Sequence, residues 1–367
     1  DTIDRVEDRE RFYQLLDELE IPRVKGDICL SKEEALQVAQ HLTFPLLCRP
    51  SYVIGGKGMV KVTTQPEMQK FIQEADAKYF PILMDEFKEG QEIEVDLVGD
   101  GDGVYVPGVM EHVERAGVHS GDSMSIFPSE SLSDEIKRKI EGYAGEIVSS
   151  LHYKGIMNIQ FLLQDEEVFM LEVNPRASRT VPVVSKVLGY SLIDMATDIM
   201  CDETLKIDAF SSPSEIDVVG VKYPVFSSHA LPEIDQTLGA NMKSTGEGLC
   251  LGKTVEEALY KVFEGLHEAV ETGGTVYIDS DQKELKQYQT STESSFSDWI
   301  KTSDASVYFS HEETDEMKNR RIAALEAGIT VLTEAETLLA FIRSMKVNKV
   351  NPIPLTQSKS IQGVSRV

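Results

Sequence analysis

Residues 158–180 read NIQFLLQDEEVFMLEVNPRASRT. Two apolar runs flank the polar tetrapeptide QDEE at 164–167, the pattern of a β-hairpin. A three-residue loop at Asp165–Glu167 sets Leu163 opposite Phe169, Phe161 opposite Leu171 and Gln160 opposite Glu172. One face is then apolar, with Phe161, Leu163, Phe169 and Leu171. The other carries Gln160 against Glu172, with Asn174 two positions along. Directly opposed side chains have Cβ atoms about 4.5–5.5 Å apart, close enough to share one ion. A few hard oxygen donors suit Mg²⁺, which keeps waters and leans on substrate phosphates. Arg176 and Arg179, just beyond, suit an anionic acceptor and the charge of a phosphoryl group in transit. An ordinary solvated strand end has the same residues.

Three further stretches gather around this hairpin. RPSYVIGGKGM (49–59) is a glycine-rich loop between two strands, preceded by Arg49. It matches neither the Walker A spacing nor G-x-G-x-x-G, so it stands between a phosphate-covering loop and a plain hairpin loop. LMDEFKEGQEIEVD (83–96) is a buried strand entering an acidic turn, where strand-end backbone groups suit an adenine edge and Glu92 suits ribose hydroxyls. An acidic surface loop reads the same way. In EHVERAGVHSGDS (111–123), His112 reads as structural, and His119, in a glycine-bounded loop, is the functional candidate. Neither histidine has metal-ligand spacing, and no Ser-His-Asp order or catalytic-cysteine context occurs.

The chain has 367 residues, 36 Lys and Arg against 62 Asp and Glu, and a formal net charge of -26. That field argues against nonspecific nucleic-acid binding, which needs a basic face. Cys29, Cys48, Cys201 and Cys250 form no C-x-x-C pair, which fits a reduced, cytoplasmic setting. No apolar run approaches the ~18 residues of a membrane span. The charged start DTIDRVEDRERF, without Met, is expected of a piece of something longer.

Period-3.6 patterns predict helices over DRERFYQLLDELE, SKEEALQVAQHL (capping box Ser31/Glu34), QPEMQKFIQEA, about 133–152, VPVVSKVLGYSLIDMATDIM and TVEEALYKVFEG. FPLLCRPS, MVKVT and FPILMDEF read as strands, and EIEVDLVGDGDGVYVPGVMEHV as a hairpin. From about 272, GGTVYID, ASVYFSH, TDEMKNRRIAALEAG, ITVLT and EAETLLAFIRSM alternate as a small β/α unit. The expected organisation is a domain over 1–270, a small α/β domain over 271–350 and a tail over 351–367.

Taken together, EDRERF, RPSYVIGG, MEHVERAGVHSGDS, MNIQF and EVNPRASRTVPVVSK resemble the large chain of carbamoyl-phosphate synthetase over roughly residues 1–265. GVHSGDS and the small domain after it resemble the carbamate-phosphorylating second half. The resemblance implies an ATP-grasp fold, α/β or α+β in class, followed by a Rossmann-like, methylglyoxal-synthase-like domain. That domain lacks the family's His-Gly-Thr turn, offering QTSTESSFS instead, so a reduced domain is expected and UMP binding is not.

The resemblance also implies roles by position. Arg9 and Arg49 would meet ATP phosphates or acceptor, and Gly55 and Gly56 would cover the phosphates. Glu86 and Lys88 would form the adenine hinge, although EFKEGQ is one residue shorter than the family pattern. Glu92 would hold ribose, and Gly117, Val118, His119 and Ser120 would line the nucleotide. Gln160, Glu172 and Asn174 would bind Mg²⁺ or Mn²⁺, and Arg176 and Arg179, with Asn174, would serve the carbamate. K⁺ is a further implied cation. Implied partners are a first ATP-grasp half and a glutaminase small subunit, and the implied product, carbamoyl phosphate, feeds arginine or pyrimidine biosynthesis. Carbamate is itself an anionic oxygen nucleophile and needs no activating base. It is short-lived in water, so a lid is expected. Two other readings stay open: a nucleotide-binding regulatory module without turnover, and another carboxylate–amine ligase of the biotin-carboxylase kind.

Overall fold

The computed structural model describes residues 2–50, 58–201, 217–227 and 237–347. Gly55 and Gly56 lie outside these described residues.

Two N-terminal helices, α1 (Thr2–Glu7) and α2 (Arg9–Glu18), lead into a four-stranded antiparallel sheet. Its strands are β1 (Gly26–Cys29), β2 (Leu46–Pro50), β3 (Val60–Val62) and β4 (Ile82–Glu86), ordered β1-β4-β2-β3. Helices α3 (Lys32–Val38) and α4 (Gln65–Glu74) bury Ala35, Met68 and Ile72 against its Leu46, Cys48, Val62 and Met84. The expected cap is present: Ser31 Oγ accepts from the Glu34 N–H, and the Glu34 carboxylate reaches back to the Leu30 N–H.

The second sheet carries the hairpin. Its strands are β5 (Gln91–Asp100), β6 (Val104–Tyr105), β7 (Met110–Arg115), β8 (Ser125–Phe127), β9 (Lys154–Gln164), β10 (Glu167–Asn174), β11 (Val219–Val225) and β12 (Gly246–Gly252). The order is β10-β9-β5-β7-β8-β11-β12, with β6 on β5, and the pairings are antiparallel. Period-two alternation sorts the two faces. Ile93, Val95, Leu97, Met157, Ile159 and Phe161 meet α2 and the long helix α5 (Asp134–Leu151) in one core. Glu92, Glu94, Asp96, Asn158 and Gln160 stand on the opposite face.

The hairpin differs from expectation in one respect. Its turn has two residues, Asp165 and Glu166, both left-handed at φ 49° and 66°, the form whose twist matches the flanking strands. Phe169 therefore pairs with Leu162, and Met170 with Phe161. An irregularity between Met170 and Glu172 then takes up one residue, which restores Gln160 opposite Glu172. The apolar face is corrected accordingly. Val168, Met170 and Val173 join Phe161 in the core, whereas Phe169 and Leu171 pack with Val24 and Leu162.

Helices α6 (Val181–Leu188) and α7 (Leu192–Met200) replace the single expected helix. Gly189, at φ 77°, ends the first, and Ser191 caps the second. Helices α8 (Val255–Val262) and α9 (Glu264–Glu271) follow β12. A parallel sheet, β13 (Thr275–Asp279), β14 (Ala305–Ser310) and β15 (Thr330–Leu332), comes next. It is accompanied by the short α10 (Lys283–Lys286) and α11 (Phe296–Trp299), and by α12 (Asp315–Glu326) and α13 (Ala335–Ser344). One apolar cluster joins Ile126, Val221, Leu259 and Phe263 to Ile278, Phe309, Leu338 and Phe341, so the core runs across residue 270. Among the described residues, no helix is long and apolar enough to cross a membrane.

Candidate functional site

A cleft of about 1280 Å³ is lined by residues from both antiparallel sheets. On one side stand Arg49, Leu83 and Asp85 of the four-stranded sheet. On the other stand the polar residues of β5, β9 and β10. Arg9, Arg49, Glu86, Lys88, Glu92, Gly117, Val118, His119, Ser120, Gln160, Glu172, Asn174, Arg176 and Arg179 all line it.

The centre is the β9–β10 ladder. Gln160 pairs directly with Glu172, and Asn158 with Asn174. Asn174 Nδ2 donates to Glu172 Oε1 at 3.0 Å, and Gln160 Nε2 donates to Ser120 Oγ at 3.2 Å. Arg9, at the start of α2, reaches Glu172 Oε2 at 3.5 Å. Burial pushes the Glu172 carboxyl up, but the Arg9 charge, the Asn174 amide and Arg49 outweigh it and hold the group below its usual range. Glu172 is thus an anion waiting among cations. Among the described residues, no three His, Cys, Asp or Glu side chains are grouped to hold a metal. One carboxylate and two amides fit a hard cation completed by phosphate oxygens and water, and do not fit a soft metal.

Arg49 of β2 donates to Asp85 of β4 at 2.7 Å, and the Tyr13 hydroxyl of α2 donates to the same carboxylate. Gly26 on β1 makes room for this knot, since a Cβ there would stand 2.0 Å from Asp85 Oδ1. Sequence reasoning nominated Arg49 but passed over Tyr13 and Asp85. The signal was an acid directly after three apolar residues of a buried strand, ILMDE.

Of the two residues expected at an adenine hinge, Glu86 accepts from the Thr43 N–H at 2.9 Å and lies 3.6 Å from Lys25. Lys88 donates to Gln164 and stands 4.7 Å over the Phe169 ring. Glu92 accepts from the Gly117 N–H at 3.1 Å, and burial holds its carboxyl above the ordinary range despite His112 and that N–H. Gly117 has φ 102°, a left-handed conformation that suits glycine. His112 is buried between Glu92 (3.7 Å) and Glu94 (3.2 Å), which agrees with its structural reading. The His119 amide donates to the Gly239 carbonyl, and burial, with Arg179 and Lys222 nearby, lowers its imidazole's basicity.

Arg176 donates to Asn174 Oδ1 at 3.1 Å, and Arg179 pairs with Glu247 of β12 at 3.2 Å. Beneath them lies Asp96, 3% exposed. It accepts from Ser178 Oγ (2.7 Å), Thr180 Oγ1 (2.6 Å) and Asn158 Nδ2 (3.0 Å), so it clamps the segment that carries both arginines. Burial and the neighbouring Glu94 charge push Asp96 up to about 6.

A family model described as carbamoyl-phosphate synthase L chain, ATP binding domain, matches residues 8–208. The carbamoyl phosphate synthase arginine-specific large chain of Bacillus subtilis is 42% identical over 348 residues, 94% of this chain and 33% of that protein. The carbamoyl phosphate synthase large chain of Clostridium beijerinckii is 47% identical over 274 residues, 73% of this chain and 25% of that protein. The chain thus spans about a third or less of the length of these relatives. Among solved structures, carboxyaminoimidazole ribonucleotide synthase from Aspergillus clavatus complexed with ATP superposes with a TM-score of 0.59 at 16% identity, covering 74% of each chain. Biotin carboxylase from Campylobacter jejuni gives 0.53 at 16% identity, covering 62% of this chain and 52% of its own. These structural likenesses concern the fold, which is ATP-grasp.

Proposed function

The chain belongs to the carbamoyl-phosphate synthase large-chain ATP-binding family, and from that premise we propose that its cleft phosphorylates carbamate with MgATP, giving carbamoyl phosphate and ADP. The observation that carries the reading is the direct pairing of Gln160 with Glu172 on the cleft-facing side of β9–β10, with Arg176 and Arg179 beyond it.

Glu172, Gln160 and Asn174 would hold the Mg²⁺, and Mn²⁺ would satisfy the same oxygens. When bound, the ion neutralises phosphate charge, which otherwise repels an anionic nucleophile. The remaining work falls to the chain. Glu92 takes ribose hydroxyls, and the 117–120 strip lines the nucleotide. Arg9 and Arg49 balance phosphate charge at one end, and Arg176 and Arg179 hold the acceptor in line at the other. Carbamate brings its own nucleophilic oxygen, so no base is assigned. K⁺ enters only through the family resemblance.

We place the activity within a larger synthetase, with a first ATP-grasp half and a glutaminase as partners in the cytoplasm. The names of the Bacillus subtilis and Geobacillus stearothermophilus relatives favour the arginine pathway. The test is ATP formation from carbamoyl phosphate and ADP with Mg²⁺. Activity in the parent, and its loss in Glu172→Ala, supports the reading. A folded protein that binds MgADP yet never forms ATP contradicts it.

A further inference from the structure

Lys222 lies on β11, whose alternation sends Val221 into the apolar core and Lys222 to the cleft wall. It is 1% exposed, among the most buried large side chains of the protein. Lysines are rarely buried this far without an ionic partner. Its Nζ donates to the Ser120 carbonyl at 2.7 Å. Among the described residues, no carboxylate lies within the 4.0 Å of an ion pair with it. An ammonium has three donors, so one neutral acceptor leaves most of its capacity unused.

The nearby acids are already engaged. Glu94 bonds His112 and Asn158, and Glu247 pairs with Arg179. Lys222 and Arg179 nevertheless act on the same groups: burial raises the Glu247 carboxyl and lowers the His119 imidazole, and both cations pull each of the two groups down. Arg179 Nη1 stands 3.4 Å from where a Cβ on Gly121 would lie, next to the Ser120 carbonyl that Lys222 holds, so two cations converge on one stretch of the cleft wall. A buried positive charge with spare donors at that spot is matched by a small oxyanion.

We propose that Lys222 is a third cation of the acceptor end, holding an oxygen of carbamate, or of the carbamoyl phosphate made from it, beside Arg179. The inference rests on the carbamate reading above and extends it to a residue that the hairpin motif does not contain. Its bond to the Ser120 carbonyl fixes the ammonium from behind, so the side chain is pre-placed before the acceptor arrives.

The test is calorimetric titration of the whole 367-residue chain, first with MgADP and then with carbamoyl phosphate on the MgADP-saturated protein. The variants are Lys222→Gln, which keeps a donor for Ser120 without the charge, and Lys222→Arg. In Lys222→Gln, carbamoyl phosphate affinity is expected to fall about 10- to 100-fold while MgADP affinity stays within about 3-fold, the size of one lost charge-assisted contact. Lys222→Arg is expected to recover part of the loss. Unchanged carbamoyl phosphate affinity in Lys222→Gln overturns the proposal. A parallel fall for both ligands also overturns it, because that marks Lys222 as a tether for the nucleotide strip. A parent chain that binds no MgADP is a different failure: it removes the carbamate reading, and this inference with it.

Discussion

Replacing Arg49 by Met strands a carboxylate at the junction of helix α2 with the four-stranded sheet. Arg49 and Asp85 meet at 2.7 Å with side chains 17% and 7% exposed, so solvent screens the pair little. Breaking a buried pair from one side costs about 3–5 kcal/mol, mostly for the charge left behind. Asp85 keeps the Tyr13 hydroxyl after the change, which places Arg49→Met near the lower limit, about 3 kcal/mol. Asp85→Asn strands the guanidinium and should cost a similar amount. The double variant Arg49→Met/Asp85→Asn carries no buried charge and should recover at least ~1.5 kcal/mol of the summed losses. Urea unfolding followed by far-ultraviolet circular dichroism measures all four corners of the cycle. Losses that simply add, within about 0.5 kcal/mol, would refute the claim that Arg49 and Asp85 stabilise one another in the fold.

Further outcomes follow from the same geometry. Asp96, with a folded-state value of about 6 against an ordinary 3.8, binds more protons folded than unfolded between those limits. Stability should therefore fall as pH rises through that window, by up to ~3 kcal/mol at 1.36 kcal/mol per unit. Asp96→Asn should flatten this slope, and urea midpoints at pH 4.5 and 7.5 that shift equally in both proteins would contradict it. Gly117→Ala, which forces a side chain into φ 102° with its Cβ 3.3 Å from the Phe87 ring, should weaken MgADP binding about 5- to 30-fold by titration. Trp299 is the chain's one tryptophan, fully buried beside Tyr277 and Tyr308 and absent from the cleft lining, so its fluorescence should not respond to MgADP.

The sequence carried the central pairing because period-two alternation and one turn suffice to bring Gln160 opposite Glu172. The route to it was not legible. Asp165 and Glu166 adopt left-handed conformations that Asn-Gly would have advertised, and Glu at such a place gives no signal. The irregularity beside Leu171 then cancelled the shorter turn, so the pairing at the site stands while Phe169 and Leu171 change faces. Local capping made α3 readable, and alternation made the small parallel sheet readable. The break at Gly189 was visible as a glycine but was overridden by the apolar pattern on both sides of it. Tyr13, Asp85 and Lys222 were missed for a shared reason. Nothing local marks the role of any of them, because each role depends on partners at least 36 positions away, such as Arg49 for Asp85. Only the folded chain brings those partners together.

The β9–β10 ribbon is tested most directly by titrating ADP with and without Mg²⁺ into the parent and into Glu172→Gln. In the parent, Mg²⁺ should tighten ADP binding at least about 10-fold, and in Glu172→Gln that gain should vanish while Mg²⁺-free binding persists. An equal Mg²⁺ gain in both proteins would place the cation elsewhere and remove the ribbon from the chemistry.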